Sequence, residues 1–145
     1  MLAVLQRVRQ ARVEIDGSCV GAIEQGLLVL VCAEPADTQA QAAKLVDKLL
    51  KLRIFSDAAG KMNLSLQDVQ GGLLLVSQFT LAADLSGGNR PSFSAAAPAA
   101  LGRAIYEQVL EVARARHSPV ACGVFGADMQ VHLINDGPVT MSLQI

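Results

Sequence analysis

Two polar segments carry the groups of this sequence that are best suited to act on a substrate. Ser77, Gln78 and Thr80 directly follow an aliphatic run at residues 73–76. They form hydrogen bonds without carrying a charge, which suits them to hold the polar groups of a bound substrate. The second segment, Asn135-Asp136-Gly137-Pro138, separates two apolar runs near the end of the chain. Taken alone, the first segment is more typical of an ordinary strand end, and the second of a plain hairpin turn.

Conventional catalytic motifs are absent from the sequence. His117 stands at the predicted end of a helix, where a cation is favoured for structural reasons, and His132 alternates with apolar residues on a predicted strand. Neither has an acidic residue at a spacing typical of a catalytic pair. The cysteines Cys19, Cys32 and Cys122 are widely spaced and form no metal-binding or redox motif. We therefore expect no metal and no cofactor, and neither a metal hydrolase nor a standard nucleophile–base triad.

The composition predicts one globular domain that spans residues 1–145. A hydrophobic fraction of 52% and a charged fraction of 17% exclude intrinsic disorder. Aromatic residues make up only 3% of the chain and Trp is absent, so the core must be aliphatic. The mean hydropathy of +0.39 indicates either an unusually aliphatic interior or an apolar surface that a partner subunit covers.

Charge and sorting signals limit the expected surroundings of the protein. No apolar run is long enough to cross a membrane, and the N-terminal segment becomes charged too early for a secretory signal. With its unpaired cysteines, the sequence therefore predicts a cytoplasmic protein without membrane contact. The formal net charge of −1 argues against a protein that covers phosphates with lysines. Any contact with RNA should be local and limited to one end of that molecule.

The hydrophobic pattern predicts an α+β domain in which a mainly antiparallel, barrel-like sheet carries two helices. One helix follows a cap at Asp37 or Thr38, and the other starts near Pro98 and stops before Pro119. An Asp16-Gly17 turn and a surface loop at 82–98 complete the outline. The predicted strands lie at residues 3–8, 11–15, 19–23, 27–31, 53–55, 73–76, 129–134 and 139–145.

Taken together, the polar segments resemble the two signature motifs of the D-aminoacyl-tRNA deacylase family. The motifs resemble Ser77-Gln78-Phe79-Thr80-Leu81 and Asn135-Asp136-Gly137-Pro138-Val139-Thr140, which stand intact and in the same order. Cys32 is a departure, because the family usually has Gly after this aliphatic strand. Shorter matches along the chain are Gln6-Arg7-Val8, Leu52-Arg53-Ile54-Phe55, Gly60-Lys61-Met62-Asn63, Arg90-Pro91-Ser92-Phe93 and Phe125-Gly126-Ala127-Asp128-Met129.

The resemblance implies a homodimeric hydrolase that cleaves the ester between a D-amino acid and the 3′ acceptor end of tRNA. It also implies a cis Gly137–Pro138 bond in a loop that enters the partner's active site and rejects L-aminoacyl esters. Glycyl-tRNA mischarged on alanine tRNA is an expected second substrate, because glycine has no side chain to reject. The implied catalytic residues are Ser77, Gln78, Phe79 and Thr80. The residues implied in substrate binding and chiral rejection are Gly137, Pro138, Arg7, Met129 and Asn135.

The sequence favours catalysis by backbone amides and a bound water over catalysis by a side-chain nucleophile. The Thr80 hydroxyl would need a base, and none is evident. An aminoacyl ester is already activated and carries a neighbouring ribose hydroxyl, so amides near Phe79 and Thr80 could suffice to stabilise the oxyanion. Two alternatives remain open at this point. One is an editing hydrolase that chiefly clears glycine from tRNA, and the other is a non-catalytic RNA-binding dimer module.

Overall fold

Eight strands and two α-helices, all within the described residues 1–145, make up the computed structural model of the protein. The elements follow in the order β1 (Leu2–Ile15), β2 (Ser18–Ile23), β3 (Gly26–Cys32), α1 (Gln39–Lys51), β4 (Phe55–Ser56), β5 (Met62–Leu64), β6 (Gly72–Ser77), a 3₁₀ turn (Phe79–Ala82), α2 (Ala99–Arg116), β7 (Val120–Cys122) and β8 (Gln130–Gln144). Neither α-helix is long and apolar enough to span a bilayer.

The main sheet has the strand order β2-β1-β3-β6-β7, and β8 pairs with β1 as well. Strand β1 is antiparallel to β2, β3 and β8, whereas β3, β6 and β7 run parallel to one another. The parallel pairs arise because α1 lies between β3 and β6 in sequence, and α2 between β6 and β7, which is the crossover that parallel strands require. The mainly antiparallel sheet with two helices is therefore confirmed, although its parallel part and β7 were not predicted.

Two buried clusters, one on each face of the sheet, account for the continuous apolar runs in β3 and β6. Leu27, Val29 and Leu75 pack under the helices in the larger cluster. Leu28 and Leu74 point to the opposite face, where β8 covers them. The sheet curves strongly toward this side, so that β2 and β7, at opposite ends of the strand order, come close together. A Cβ on Gly21 of β2 would lie 2.6 Å from the carbonyl oxygen of Cys122 in β7. The sheet therefore has the barrel-like form that the sequence predicts.

The helix ends follow local sequence signals. Thr38 is the N-cap of α1 and forms a capping box with Gln41. Asp37, the other predicted cap, is instead buried and accepts a hydrogen bond from the Met1 ammonium at 2.9 Å. Helix α2 begins after Pro98, as predicted. Its inner face buries Ile105 and Val109, while Leu101 and Val112 are only half-buried.

Two predicted chain breaks are wrong. The predicted strands at 3–8 and 11–15 are parts of one continuous strand, β1, and those at 129–134 and 139–145 merge into one strand, β8, which spans Gln130–Gln144. The Asn135-Asp136-Gly137-Pro138 segment is therefore not a hairpin turn. The residues before and after this segment both pair with β1, antiparallel to it and in the same direction. Val8 pairs with Asn135, and Gln6 pairs with Thr140. A loop of four residues, Asp136 to Val139, thus stands opposite a single residue of β1.

Candidate active site

A cavity of about 560 Å³ lies where β3 and β6 end. The carboxyl ends of parallel strands meet at one edge of a sheet, and ligands commonly bind there. The ends of these strands, the loop before α2, the first turns of α2 and residues 125–131 form the wall. Of its 19 residues, 15 are hydrophobic, so the interior suits an apolar or aromatic group.

Strand β6 carries the first polar segment to the edge of this cavity. The Gln78 N–H donates to the carbonyl oxygen of Val31 at 2.8 Å and so continues the pairing with β3. In the following 3₁₀ turn, the first hydrogen bond runs from the Leu81 N–H to the Gln78 carbonyl at 3.2 Å, and no side chain caps the turn. The turn therefore provides no acceptor for the N–H groups of Phe79 and Thr80. Two adjacent backbone donors of this kind could stabilise an oxyanion.

Thr80 lies next to the cavity but is not part of its wall. The Gln78 side-chain amide donates to the Thr80 hydroxyl oxygen at 2.5 Å, which leaves the hydroxyl proton free for another acceptor. No carboxylate, imidazole or amine side chain belongs to the wall. The arrangement therefore offers Thr80 no general base, as the sequence already indicated.

Aromatic side chains, scarce in this chain, are concentrated at the cavity. Of four Phe residues and one Tyr, the wall includes Phe79, Phe93, Tyr106 and Phe125. Phe79 and Phe93 form an edge-to-face pair with ring centroids 5.1 Å apart, and they are 55% and 39% exposed. The buried Tyr106 hydroxyl donates to the carbonyl oxygen of Leu75 at 2.9 Å. The exposed pair provides a surface on which a planar ring could stack.

Cys32 stands at the end of β3 and forms part of the wall. Its thiol contacts the carbonyl oxygen of Ala33 at 3.4 Å and that of Phe79 at 3.5 Å. Burial raises the pKa of the Cys32 thiol, so the group stays neutral. The wall at this point is therefore uncharged, and the thiol links β3 to the backbone of the 3₁₀ turn.

The second polar segment forms a loop whose backbone is hydrogen-bonded to the Arg7 side chain. Arg7 is only 8% exposed, and its Nε donates to the carbonyl oxygen of Asp136 at 3.0 Å. Arg7 also donates to the carbonyl oxygen of Ile54, and its Nε lies 3.2 Å from the Asp136 carboxylate. Arg7 is thus a buried cation and not a surface one. The Gly137–Pro138 peptide bond is cis.

Gly137 occupies a position that a larger residue would disturb. Its φ of +130° is one that residues with a side chain rarely adopt. A Cβ there would lie 2.9 Å from a methyl group of Val139 and 3.2 Å from Nη2 of Arg7. Glycine therefore allows the loop and the guanidinium to approach each other closely.

The structure brings some of the implied site residues together and leaves others apart. Ser77, Gln78, Phe79 and Met129 form part of one cavity wall. The remaining implied residues lie outside that wall within a single chain: Thr80, Arg7, Asn135, Gly137 and Pro138. The motifs did not identify Tyr106 and Cys32 as wall residues. The scarcity of aromatic residues could have pointed to Tyr106, because four of the five aromatic side chains in this chain line the cavity.

The two histidines stand away from the cavity wall. An imidazole nitrogen of His117 lies 2.7 Å from the carbonyl oxygen of Gly71, and His132 lies 3.2 Å from the Glu14 carboxylate. Both contacts suit the structural roles expected from the sequence. No group of three or more His, Cys, Asp or Glu side chains is placed to hold a metal ion.

Comparison with known proteins identifies relatives along the full chain. A family model described as D-Tyr-tRNA(Tyr) deacylase matches residues 4–144. A D-aminoacyl-tRNA deacylase of Methylibium petroleiphilum is 69% identical over 100% of this chain and 95% of the relative. The Pseudomonas putida protein of the same name is 66% identical over 100% of both chains.

Two solved structures share the fold of this chain over nearly its whole length. A structure titled "c-Myc DNA Unwinding Element Binding Protein" is 42% identical, covers 100% of this chain and 99% of its own, and has a TM-score of 0.94. A second, a probable eukaryotic D-amino acid tRNA deacylase, is only 18% identical, with a TM-score of 0.88 over 99% of this chain and 98% of its own, and so supports the fold alone. The chain belongs to the D-Tyr-tRNA(Tyr) deacylase family, and the hydrolase class expected from its two motifs is thereby confirmed.

Proposed function

We propose that this protein hydrolyses the ester between a D-amino acid and the terminal ribose of tRNA, and that it spares the L-aminoacyl ester. Glycyl-tRNA mischarged on alanine tRNA is a second substrate in this proposal. The products are the free amino acid and intact tRNA. The site of action is the cytoplasm, where tRNA is charged.

The observation that carries the proposal is the cavity beside Phe79 and Thr80. Its wall is apolar and rich in aromatic residues, and it has neutral hydrogen-bonding groups at one edge. Such a wall suits a terminal nucleoside, whose base can stack while its ribose and ester face the polar edge. A charged side chain is not required, because the aminoacyl ester is itself activated.

In the proposed reaction, a water molecule attacks the ester carbonyl carbon. The negative charge that develops on the carbonyl oxygen is stabilised by the N–H groups of Phe79 and Thr80, and one such donor contributes about 3–4 kcal/mol. The bond from the acyl carbon to the ribose oxygen then breaks. The attacking water transfers a proton to the neighbouring ribose hydroxyl, and that hydroxyl passes a proton on to the departing ribose oxygen. Ser77 and Gln78 hold the ribose and the carbonyl group, and Thr80 orients the water.

Chirality is read, in this proposal, by the loop at Gly137 and Pro138 of a second subunit. The loop projects from the middle of β8 and lies outside the cavity wall of its own chain, as a group that serves a neighbouring site would. Its backbone carbonyls form a rigid surface that an L side chain would strike, while a D side chain points outward. Because the side chain itself is not inspected, many D-amino acids are accepted.

The central experiment compares deacylation of D-tyrosyl-tRNA and L-tyrosyl-tRNA by the purified protein. We expect rapid loss of the D-ester and an L-ester that decays only at the uncatalysed rate. Glycyl-tRNA, assayed in parallel, separates this reaction from one that chiefly clears glycine. Binding of D-aminoacyl-tRNA without hydrolysis would support the non-catalytic RNA-binding module instead and would contradict the proposal.

Mixing two variants tests the contribution of the second subunit. In this proposal the loop carbonyls also hold the α-centre of the substrate, so loss of either the cavity or the loop should abolish hydrolysis of the D-ester. One variant carries Phe79→Ala in the cavity, and the other carries Pro138→Ala in the loop. If the site combines the cavity of one subunit with the loop of the other, each mixed dimer regains one intact site. Random exchange should then restore about a quarter of the wild-type activity. No restoration, with subunit exchange verified, would place the loop and the cavity of one site in the same chain.

A further inference from the structure

We propose that Arg103 binds a backbone phosphate of the tRNA 3′ end at the edge of the cavity. This inference rests on the proposed function, because it requires that the terminal nucleoside occupies the cavity. It adds the residue that grips the nucleic acid beyond that nucleoside.

Arg103 is held against the cavity by a wall residue. The central carbon of its guanidinium lies 4.9 Å from the ring centroid of Phe125, within the range of a cation–π contact. Phe125 is part of the wall, and so is Gly102, the neighbour of Arg103 on α2. A Cβ on Gly102 would lie 3.6 Å from the Phe125 ring, so helix and ring are in close contact here.

The Arg103 guanidinium packs on the Phe125 ring, but its N–H donors have no hydrogen-bond acceptor within the protein. Its one ionic partner, Glu107, lies 3.9 Å away, and both side chains are more than half exposed, so this pair is weak. Three other arginines are satisfied within the protein. Arg12 donates to Glu14 at 2.7 Å, Arg53 to the carbonyl oxygen of Asn63 at 2.7 Å, and Arg116 to Asp47 at 2.7 Å. Arg103 donates no hydrogen bond within the protein, although its five N–H donors form a fork that matches a phosphate.

The chemistry of the substrate places a phosphate near this point. A tRNA chain continues from its terminal nucleoside through a 5′ phosphate, which must leave the cavity at its edge. The wall itself contains no cation to neutralise that charge. The formal net charge of −1 also provides no general attraction for RNA, so one well-placed guanidinium has a measurable effect.

The test compares Arg103→Gln with the wild type on two substrates, D-tyrosyl-tRNA and D-tyrosyl-adenosine, under single-turnover conditions. D-tyrosyl-adenosine presents the same ester and nucleoside but has no phosphate. We expect the wild-type preference for tRNA, measured as the ratio of the half-saturating concentrations of the two substrates, to shrink about fivefold in the variant. The factor of five follows from counterion release. One phosphate contact on a single strand releases about 0.7 of a counterion, which strengthens binding about fivefold at about 0.1 M salt relative to about 1 M salt.

Salt dependence provides a second measurement. The slope of log half-saturating tRNA concentration against log salt concentration should fall by about 0.7 in Arg103→Gln, and the conservative Arg103→Lys variant should retain most of the slope. Arg116→Gln is the matched control. It removes the same charge from the same helix, roughly 20 Å along the axis, where Arg116 pairs with Asp47.

The outcomes separate this inference from the proposed function. If the wild type leaves D-tyrosyl-tRNA intact, the proposed function fails, and the inference fails with it. If the wild type is active and Arg103→Gln retains both the wild-type preference and the wild-type slope, the inference alone is overturned. It is also overturned if Arg103→Lys behaves like Arg103→Gln, or if Arg116→Gln produces the same losses.

Discussion

The guanidinium of Arg7 binds the carbonyl oxygen of Asp136 at 3.0 Å and the carboxylate of the same residue at 3.2 Å. These contacts join the first strand to a loop near the other end of the chain. Because Arg7 is only 8% exposed and also binds the carbonyl oxygen of Ile54, its orientation is determined from two directions. The loop at Gly137 therefore rests on a rigid base.

Replacing Arg7 should cost more stability than replacing an arginine of the same strand at the surface. A lysine cannot reach both carbonyl oxygens with one ammonium group, so we expect Arg7→Lys to lower the free energy of unfolding by about 1–3 kcal/mol. Arg12 is 45% exposed and pairs with Glu14, so Arg12→Lys should cost less than about 1 kcal/mol. Urea unfolding measures both values, and equal losses would contradict the role of Arg7.

The Thr80→Val variant separates an orienting threonine from a nucleophilic one. If Thr80 only orients water, loss of one hydrogen bond should slow single-turnover deacylation of D-tyrosyl-tRNA roughly tenfold. Loss of a nucleophile would slow it more than about a thousandfold. Thr80→Ser retains the hydroxyl and should restore most of the rate. A Thr80→Val protein with the full wild-type rate would remove even the orienting role.

Tyr106 should contribute to stability through its hydroxyl group. That hydroxyl donates to the carbonyl oxygen of Leu75 at 2.9 Å and lies 3.4 Å from that of Gly123. Tyr106→Phe leaves these buried carbonyls without this donor, so we expect the free energy of unfolding to fall by about 1–2 kcal/mol. Urea unfolding gives the value. A Tyr106→Phe protein as stable as the wild type would show that water replaces the hydroxyl.

The Met1 ammonium should make stability fall in alkaline solution. Burial alone would lower its pKa, but hydrogen bonds to Glu34 and Asp37 outweigh that effect and raise the pKa above its ordinary value of 8.0. The folded state thus favours the charged form. The resulting stabilisation is complete below the pKa of the unfolded chain and is lost as the pH rises through the folded pKa.

An Asp37→Asn variant isolates this effect from other alkaline titrations. Thermal unfolding followed by circular dichroism between about pH 7 and about pH 10 should show a smaller fall in Tm for this variant than for the wild type. Glu24→Gln, a change at an exposed carboxylate, should retain the wild-type fall. Identical pH profiles for Asp37→Asn and the wild type would contradict the prediction.

Cys32 should resist alkylation although it faces a cavity. Burial raises the pKa of its thiol, so little reactive thiolate is present at neutral pH, whereas Cys19 is exposed. Iodoacetamide near pH 8 should therefore modify Cys19 well before Cys32, as measured by mass spectrometry of the peptides. In denaturant the two rates should converge. Modification of Cys32 as fast as Cys19 in the folded protein would mean that the cavity wall opens readily.

Local signals predicted much of the fold. The Asp16-Gly17 turn, the Thr38 cap and the Pro98 start of α2 all depend on residues within a few positions of one another. The double-sided burial of β3 followed from its continuous apolar run. The motif residues Ser77, Gln78 and Phe79 were correctly placed at the end of a buried strand, though the sequence did not indicate that Thr80 would stand just outside the cavity wall.

The sequence by itself determined most of the strand segments, the helix ends and the two polar motifs, because periodicity and turn chemistry act over short distances along the chain. Only the tertiary structure decided what the Asn135-Asp136-Gly137-Pro138 segment is. The same turn residues suit a hairpin and a loop within one strand, and the difference lies in whether the following residues pair with the preceding ones or continue along β1. That pairing joins residues more than a hundred positions apart, and it is set by the packing of two sheet faces that no local pattern encodes.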